Sequence, residues 1–161
     1  MTIREASAND LDAIWEIFEK VVNDGDTFAF APGTSKEAFS NLWFAPAMKT
    51  FVAEESDHIT GSYFIKPNQP GLGAHIANCG YIVHPAARGK GIGGKMCEHS
   101  LEIAKELGYR GMQFNIVVST NTKAVALWQK LGFRIIGTIP GGFRHARLGY
   151  VDAYIMFMEI D

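Results

Sequence analysis

The residues between His84 and Met96, HPAARGKGIGGKM, place glycines at 89, 91, 93 and 94 among His84, Arg88, Lys90 and Lys95. Glycine lets a backbone approach a ligand closely, and clustered cations attract negative charge. The stretch follows a run that reads as a strand and precedes one that reads as a helix. Free N–H groups at a helix start, with the helix dipole behind them, make an anion site. The plain alternative is a flexible turn. Spaced glycines with cations beside them favour a phosphate-bearing ligand instead.

Two nucleotide patterns fit the letters. Gly89, Gly94 and Lys95 match the phosphate loop G-x-x-x-x-G-K, but that motif continues with a Ser or Thr for Mg²⁺, and Met96 stands there. Gly89, Gly91 and Gly94 match G-x-G-x-x-G, whose ribose-binding acid is expected about 20 residues on. That region is GMQFNIVVSTN, which has no acid. A third pattern accounts for more residues. Arg88, Gly91 and Gly93 fit [RQ]-x-x-G-x-[GA], and Asn121, Ala124, Leu127, Trp128, Lys130, Gly132 and Phe133 fit N-x-x-A-x-x-[LF]-[YW]-x-[KR]-x-G-F. The two together, in this order, resemble the acetyl-CoA-binding motifs of the GNAT acetyltransferase superfamily.

That resemblance implies acetyl-CoA as cofactor and no metal. The Arg88, Gly89, Lys90, Gly91, Ile92, Gly93 and Gly94 segment would hold the pyrophosphate, and the arm of the cofactor would pair with backbone near Ile82 and Val83. Asn121, Trp128 and Lys130 would flank the arm and the thiol. Many members carry Tyr where this chain has Trp128, and an indole N–H is too weak an acid to protonate a thiolate.

Acetyl transfer needs a neutral amine. A lysine-like amine of pKa about 10.4 is neutral at pH 7 at a cost of roughly 4–5 kcal/mol, whereas an α-amine of pKa about 8 costs only about 1 kcal/mol. An amino-acid-like acceptor therefore needs little help from a base, while a lysine needs a base or a desolvating site. Asn115, inside MQFNIVV, reads as an amide that orients amine or thioester, or else as an Asn satisfied by a neighbouring strand. Strict alternation puts Met112, Phe114, Ile116 and Val118 on one face and Gln113, Asn115 and Val117 on the other. Tyr81 offers a hydroxyl as proton donor, or packs in the core; Asn78 on the same strand faces acceptor or core.

The tail GGFRHARLGYVDAYIMF and the segment NDGDTFAFAPGT resemble, more loosely, the corresponding parts of phosphinothricin-acetyltransferase-like and proline-analogue acetyltransferases. In those groups both regions line the acceptor pocket. The resemblance implies Thr27, Phe28, Phe30, Asn78, Arg144, His145, Tyr150 and Asp152 as pocket candidates and a homodimer as the assembly. A protein lysine or N-terminal acceptor remains an alternative, with Glu54 and Glu55 as the available carboxylates. So does an acyl-CoA sensor without activity.

These side chains need a scaffold. TIREA reads as a strand, NDLDAIWEIFEKVV as a helix capped by Asn9 or Asp10, and TSKEAFSNLWF as a helix with a Thr34–Glu37 capping box. TFVAEE and HITGSYFIKP form a strand pair turning near Ser56-Asp57, and AHIANCGYIVHP is a strand ended by Pro85. The glycine-led helix ends at Gly108. GMQFNIVVS is a strand, NTKAVALWQKLG a helix capped by Asn121, and FRIIGTIP and YVDAYIMFMEI are final strands. The pattern is an α/β or α+β layering of helices on a mixed sheet. The family resemblance sharpens it to a mostly antiparallel sheet of six to seven strands, splayed near the middle, with about four helices. The 161 residues make one domain, 1–161. A net charge of −2 argues against nucleic-acid binding, and no run is long enough to span a membrane. Cys79 and Cys97, without metal-like spacing, read as buried and reduced, as expected in the cytoplasm.

Overall fold

A computed structural model describes residues 1–161. The elements in chain order are β1 (Thr2–Glu5), α1 (Leu11–Asp24), α2 (Lys36–Trp43), β2 (Lys49–Glu55), β3 (His58–Pro67), β4 (Ile76–Val83), α3 (Ile92–Glu106), β5 (Gly111–Val118), α4 (Thr122–Lys130), β6 (Arg134–His145) and β7 (Gly149–Glu159). The seven strands form one sheet in the order β1-β2-β3-β4-β5-β7-β6. Only the β4–β5 pair is parallel, and it holds for just two residue pairs, Ile76 with Gly111 and Ala77 with Met112. Beyond them the two strands part.

Alternation along β4 sends side chains to two cores. Ala77 and Cys79 join Met96, Cys97, Met112, Phe114, Phe133 and Met156 on the side covered by α3 and α4. Ile82 joins Ile14, Phe18, Phe39, Trp43 and Phe64 under α1 and α2. Both cysteines are free and buried. Burial pushes the Cys97 thiol up to about 12, far from the thiolate that reactive chemistry needs. No helix is long and apolar enough to cross a membrane.

Local chemistry moves several boundaries. Asp10 is the N-cap of α1, one of the two expected residues, and the 3-10 turn before it starts at Ser7, whose N–H donates to Asp10 Oδ2 at 2.7 Å. Ser35, not Thr34, caps α2, accepting the Ala38 N–H at 3.2 Å, while the Thr34 hydroxyl donates to Ala31 O at 2.6 Å. In β5 the expected alternation stops after Phe114. Phe114 pairs with Met156 but Val117 with Tyr154, so one extra residue sits on β5. This bulge exposes Asn115 and Ile116 and turns Val117 into the core. The residues between the two expected final strands, Gly141 to His145, are strand as well. β6 runs on to His145 through a second bulge, where the Asp152 carboxylate accepts the Gly141 N–H at 2.9 Å.

Candidate active site

The segment ahead of α3 is built to hold an anion. The Arg88 N–H bonds back to Pro85 O, and the Lys95 N–H makes the first bond of the helix, to Gly91 O at 3.1 Å. Between them, from Gly89 to Gly94, no backbone N–H finds an acceptor in the chain. Gly89 and Gly91 hold φ of 82° and 78°, a left-handed conformation that turns successive N–H groups inward as a nest. A Cβ at either would meet nothing within 4 Å, so the space beside the cradle is open. Ile92 anchors it by inserting into the core. Arg88 reaches across to Asp24 at 3.4 Å, at the end of α1.

The splayed edge of β4 continues the cradle inward. Ile76 O accepts the Asn68 N–H and the His84 N–H donates to Thr60 O, so even-numbered residues bond to β3. The odd-numbered residues past the paired Ala77 therefore present N–H and C=O to the gap: Cys79, Tyr81 and Val83. The Val83 backbone is thus free on the gap, whereas the Ile82 backbone belongs to the β3 ladder. Gly94 lies against α4, where a Cβ would come within 3.4 Å of Leu127.

At the open end of the gap, one residue past the Asp24 that Arg88 reaches, the chain closes over itself. The Ala146 N–H donates to Gly25 O at 2.9 Å, tying the β6–β7 turn to the end of α1. A Cβ at Gly25 would stand 2.8 Å from Ala146 Cβ, and φ there is 63°, so glycine is required for this approach. Beneath the closure lies a cavity of about 300 Å³ whose walls include Asp26, Thr27, Thr120, Asn121, His145 and Arg147. A phosphate cradle and a free strand edge running inward from it would suit a long phosphorylated cofactor whose reactive end lies between the parted strands.

The comparisons bear this out. The family model for the acetyltransferase (GNAT) family matches residues 11–133. The chain belongs to the GNAT acetyltransferase family. N-acetyltransferase aca1 of Schizosaccharomyces pombe is 39% identical over 112 residues, covering 69% of this chain and 54% of that relative. The chain thus spans about half of that relative's length. The L-methionine sulfoximine/L-methionine sulfone acetyltransferase of Salmonella typhimurium is 28% identical over all of this chain and 95% of its own. Among solved structures, a GCN5-related N-acetyltransferase from Kribbella flavida superposes with a TM-score of 0.94 at 41% identity, covering 98% and 96% of the two chains. The acetyltransferase yncA from Salmonella typhimurium, solved with its cofactor acetyl-CoA, gives 0.86 at 25% identity over 100% and 94%. The chain is a GNAT acetyltransferase domain, and acetyl-CoA is its cofactor.

In this GNAT acetyltransferase the remaining candidates separate by position. Thr27, Asn121 and His145 meet in the cavity. Asn121 also caps α4, through the Ala124 N–H at 3.4 Å. Phe28 stacks on Phe30 with centroids 5.3 Å apart, and it reaches over Gly80, where a Cβ would be 3.0 Å from its ring. The Asn78 amide donates to Gln113 O at 2.9 Å, bracing β4 against β5 just where they part. Asn115 donates to Asn68 Oδ1 at 2.8 Å and accepts from Gln113 at 3.0 Å, in an exposed amide chain on β5.

Tyr81 points away from the crevice. Its hydroxyl pairs with Ser100 Oγ at 2.7 Å, and burial drives the phenol well above the ordinary Tyr range, which makes it a reluctant acid. Trp128 packs 5.2 Å from both Tyr81 and Phe114, as an aromatic wall. Lys130 and Arg144 are exposed, and Tyr150, 76% exposed, lies outside the cavity. The sequence reading missed Asp26, Thr120 and Arg147. Each sits beside a recognised residue but in no motif, and only the closure of two distant turns unites them.

Proposed function

We propose that this acetyltransferase moves acetyl to the amine of a small, amino-acid-like molecule by direct attack on the thioester. The observation that carries the reading is the bond from the Ala146 N–H to Gly25 O. It draws the two turns together beside an open recess of about 300 Å³, the low end for small-molecule pockets. The methionine sulfoximine and sulfone acceptors in the name of the Salmonella typhimurium relative support an amino-acid-like substrate.

When bound, acetyl-CoA supplies the activated acetyl group. The Gly89–Gly94 amides hold its pyrophosphate, and the edges of Tyr81 and Val83 align its arm. Asn78 and Asn115, on the two parting strands, orient the amine and the thioester carbonyl. Phe28 with Phe30 walls the acceptor from water. An α-amine acceptor requires no strong base, in keeping with a cavity whose only carboxylate is Asp26. The enzyme works in the cytoplasm on a small molecule and not on nucleic acid. It does so as a homodimer joined through β6, whose outer residues Ile135, Ile136 and Ile139 are exposed.

The test is a panel of acceptors, amino acids and their analogues, amine antibiotics and basic peptides, followed by release of free CoA. Turnover with an amino-acid-like amine is expected. Turnover confined to basic peptides would give the chain a protein acceptor, and cofactor binding without any turnover would make it a sensor.

A further inference from the structure

We infer that the cavity under the Gly25–Ala146 closure is a subsite for a zwitterion, with Asp26 taking the amine end of the acceptor and Arg147 with His145 taking a carboxylate. This rests on the small-acceptor reading and adds the residues that would select among small amines.

His145 is only 6% exposed, and its ring is held in one orientation. The N–H groups of Arg147 and Leu148 both donate to its Nδ1, at 3.1 and 3.3 Å. With Nδ1 engaged as an acceptor, the ring proton belongs on Nε2. That N–H has no partner in the chain, and the ring lines the cavity. The same bonds rule the ring out as a base through Nδ1, which would have to release the turn to take a proton. His145 is thereby a fixed donor, suited to recognition.

Asp26 is the complementary group. Its Oδ1 is buried and receives no hydrogen bond, the sole side-chain atom of that kind in the chain. Its Oδ2 lies 3.9 Å from the Arg147 guanidinium, too far for a hydrogen bond, so Arg147 keeps donors to spare. Oδ1 itself has no exposed surface, so Asp26 meets the cavity through the rest of its side chain, and the unmet donors there are the His145 Nε2–H and the Arg147 guanidinium, which a ligand's carboxylate completes. A ligand of one charge would satisfy one wall and oppose the other. A free amino acid carries both charges a few ångströms apart and satisfies both. A lysine side chain or a polyamine brings no carboxylate to His145.

The experiment compares acceptors with and without the carboxylate, such as proline against pyrrolidine and an α-amino acid against its decarboxylated amine, by release of free CoA, with each rate referred to the neutral amine present at the assay pH. The wild type is expected to favour the carboxylate-bearing partner by about 10- to 100-fold in kcat/KM, the scale of one hydrogen bond to a charged group. Arg147→Gln and His145→Phe should erase about tenfold of that preference through the acceptor KM, with the acetyl-CoA KM unchanged. His145→Gln, which restores an N–H near the Nε2 position, should keep most of it. Arg147 is a surface side chain, so its variant reports even if His145→Phe does not fold. Equal rates with and without the carboxylate overturn the zwitterion subsite and leave the small-acceptor reading intact. A raised acetyl-CoA KM with the acceptor preference preserved also overturns it, assigning the cavity to the cofactor arm. No turnover with any small amine overturns both.

Discussion

At the scale of single residues, Gly91 is the clearest point of the proposed cofactor cradle. Its φ of 78° suits glycine, yet an Asp in that conformation costs only about 1–2 kcal/mol, and no atom lies within 4 Å to clash with it. Gly91→Asp is therefore expected to fold and to lose acetyl-CoA affinity by at least about 100-fold, because its carboxylate enters the nest that the pyrophosphate needs. Gly91→Ala, with similar strain and no charge, should lose far less. Calorimetric titration measures both, and unchanged affinity in a folded Gly91→Asp would refute the cradle. This residue was legible in sequence because its chemistry is local: a turn, a helix start and a cation cluster lie within eight positions. Asp26 and Arg147 were not, since they lie 3.9 Å apart across 121 positions of chain, where no spacing rule connects them.

At the scale of elements, periodicity located nearly every helix and strand, and hydrogen bonds set their ends. The β5 bulge illustrates the limit. MQFN alternates as text and the apolar run Ile116-Val117-Val118 then leaves the face ambiguous, which the antiparallel partner β7 resolves by imposing an extra residue. The same dependence on distant partners gives β1 and α1 their junction. Both oxygens of Asp10 receive Arg4 Nη groups at 2.9 Å, and the carboxylate also takes the Ser7 N–H and hydroxyl. The bonds from Arg4, opposed by burial and aided by Ser7, hold the Asp10 pKa down to about 2. A folded value below the unfolded one, about 3.9, adds stability above the unfolded pKa, and that stability drains away as pH falls towards 2. Asp10→Asn should therefore cost about 1–2 kcal/mol at pH 7, discounted for the half-exposed Arg4, and close to nothing near pH 2. Urea denaturation at the two pH values measures it. An equal loss at both would mean that the cap, not the charge, sets the stability.

At the scale of the whole molecule, the sheet ends differently on its two sides. β1 is a four-residue edge, whereas β6 is a twelve-residue edge with Ile135, Ile136 and Ile139 exposed along it. A long apolar edge with unpaired backbone groups invites another strand, and an identical copy offers one through a two-fold axis. β6 ends at His145, in the turn that lines the cavity, so pairing there would also steady the acceptor site. Ile136, 53% exposed, is the residue to change. Ile136→Lys should shift the protein from dimer to monomer in sedimentation equilibrium, because an ammonium group would be buried without a partner. The monomer should bind acetyl-CoA as before, since the cradle at residues 89–94 lies across the sheet order from β6. Its acceptor KM should rise several-fold as the turn loosens. A wild type that sediments as a monomer at micromolar concentration would rule out the β6 dimer. An unchanged acceptor KM in the monomeric variant would show that the turn holds its shape through the Gly25–Ala146 bond alone.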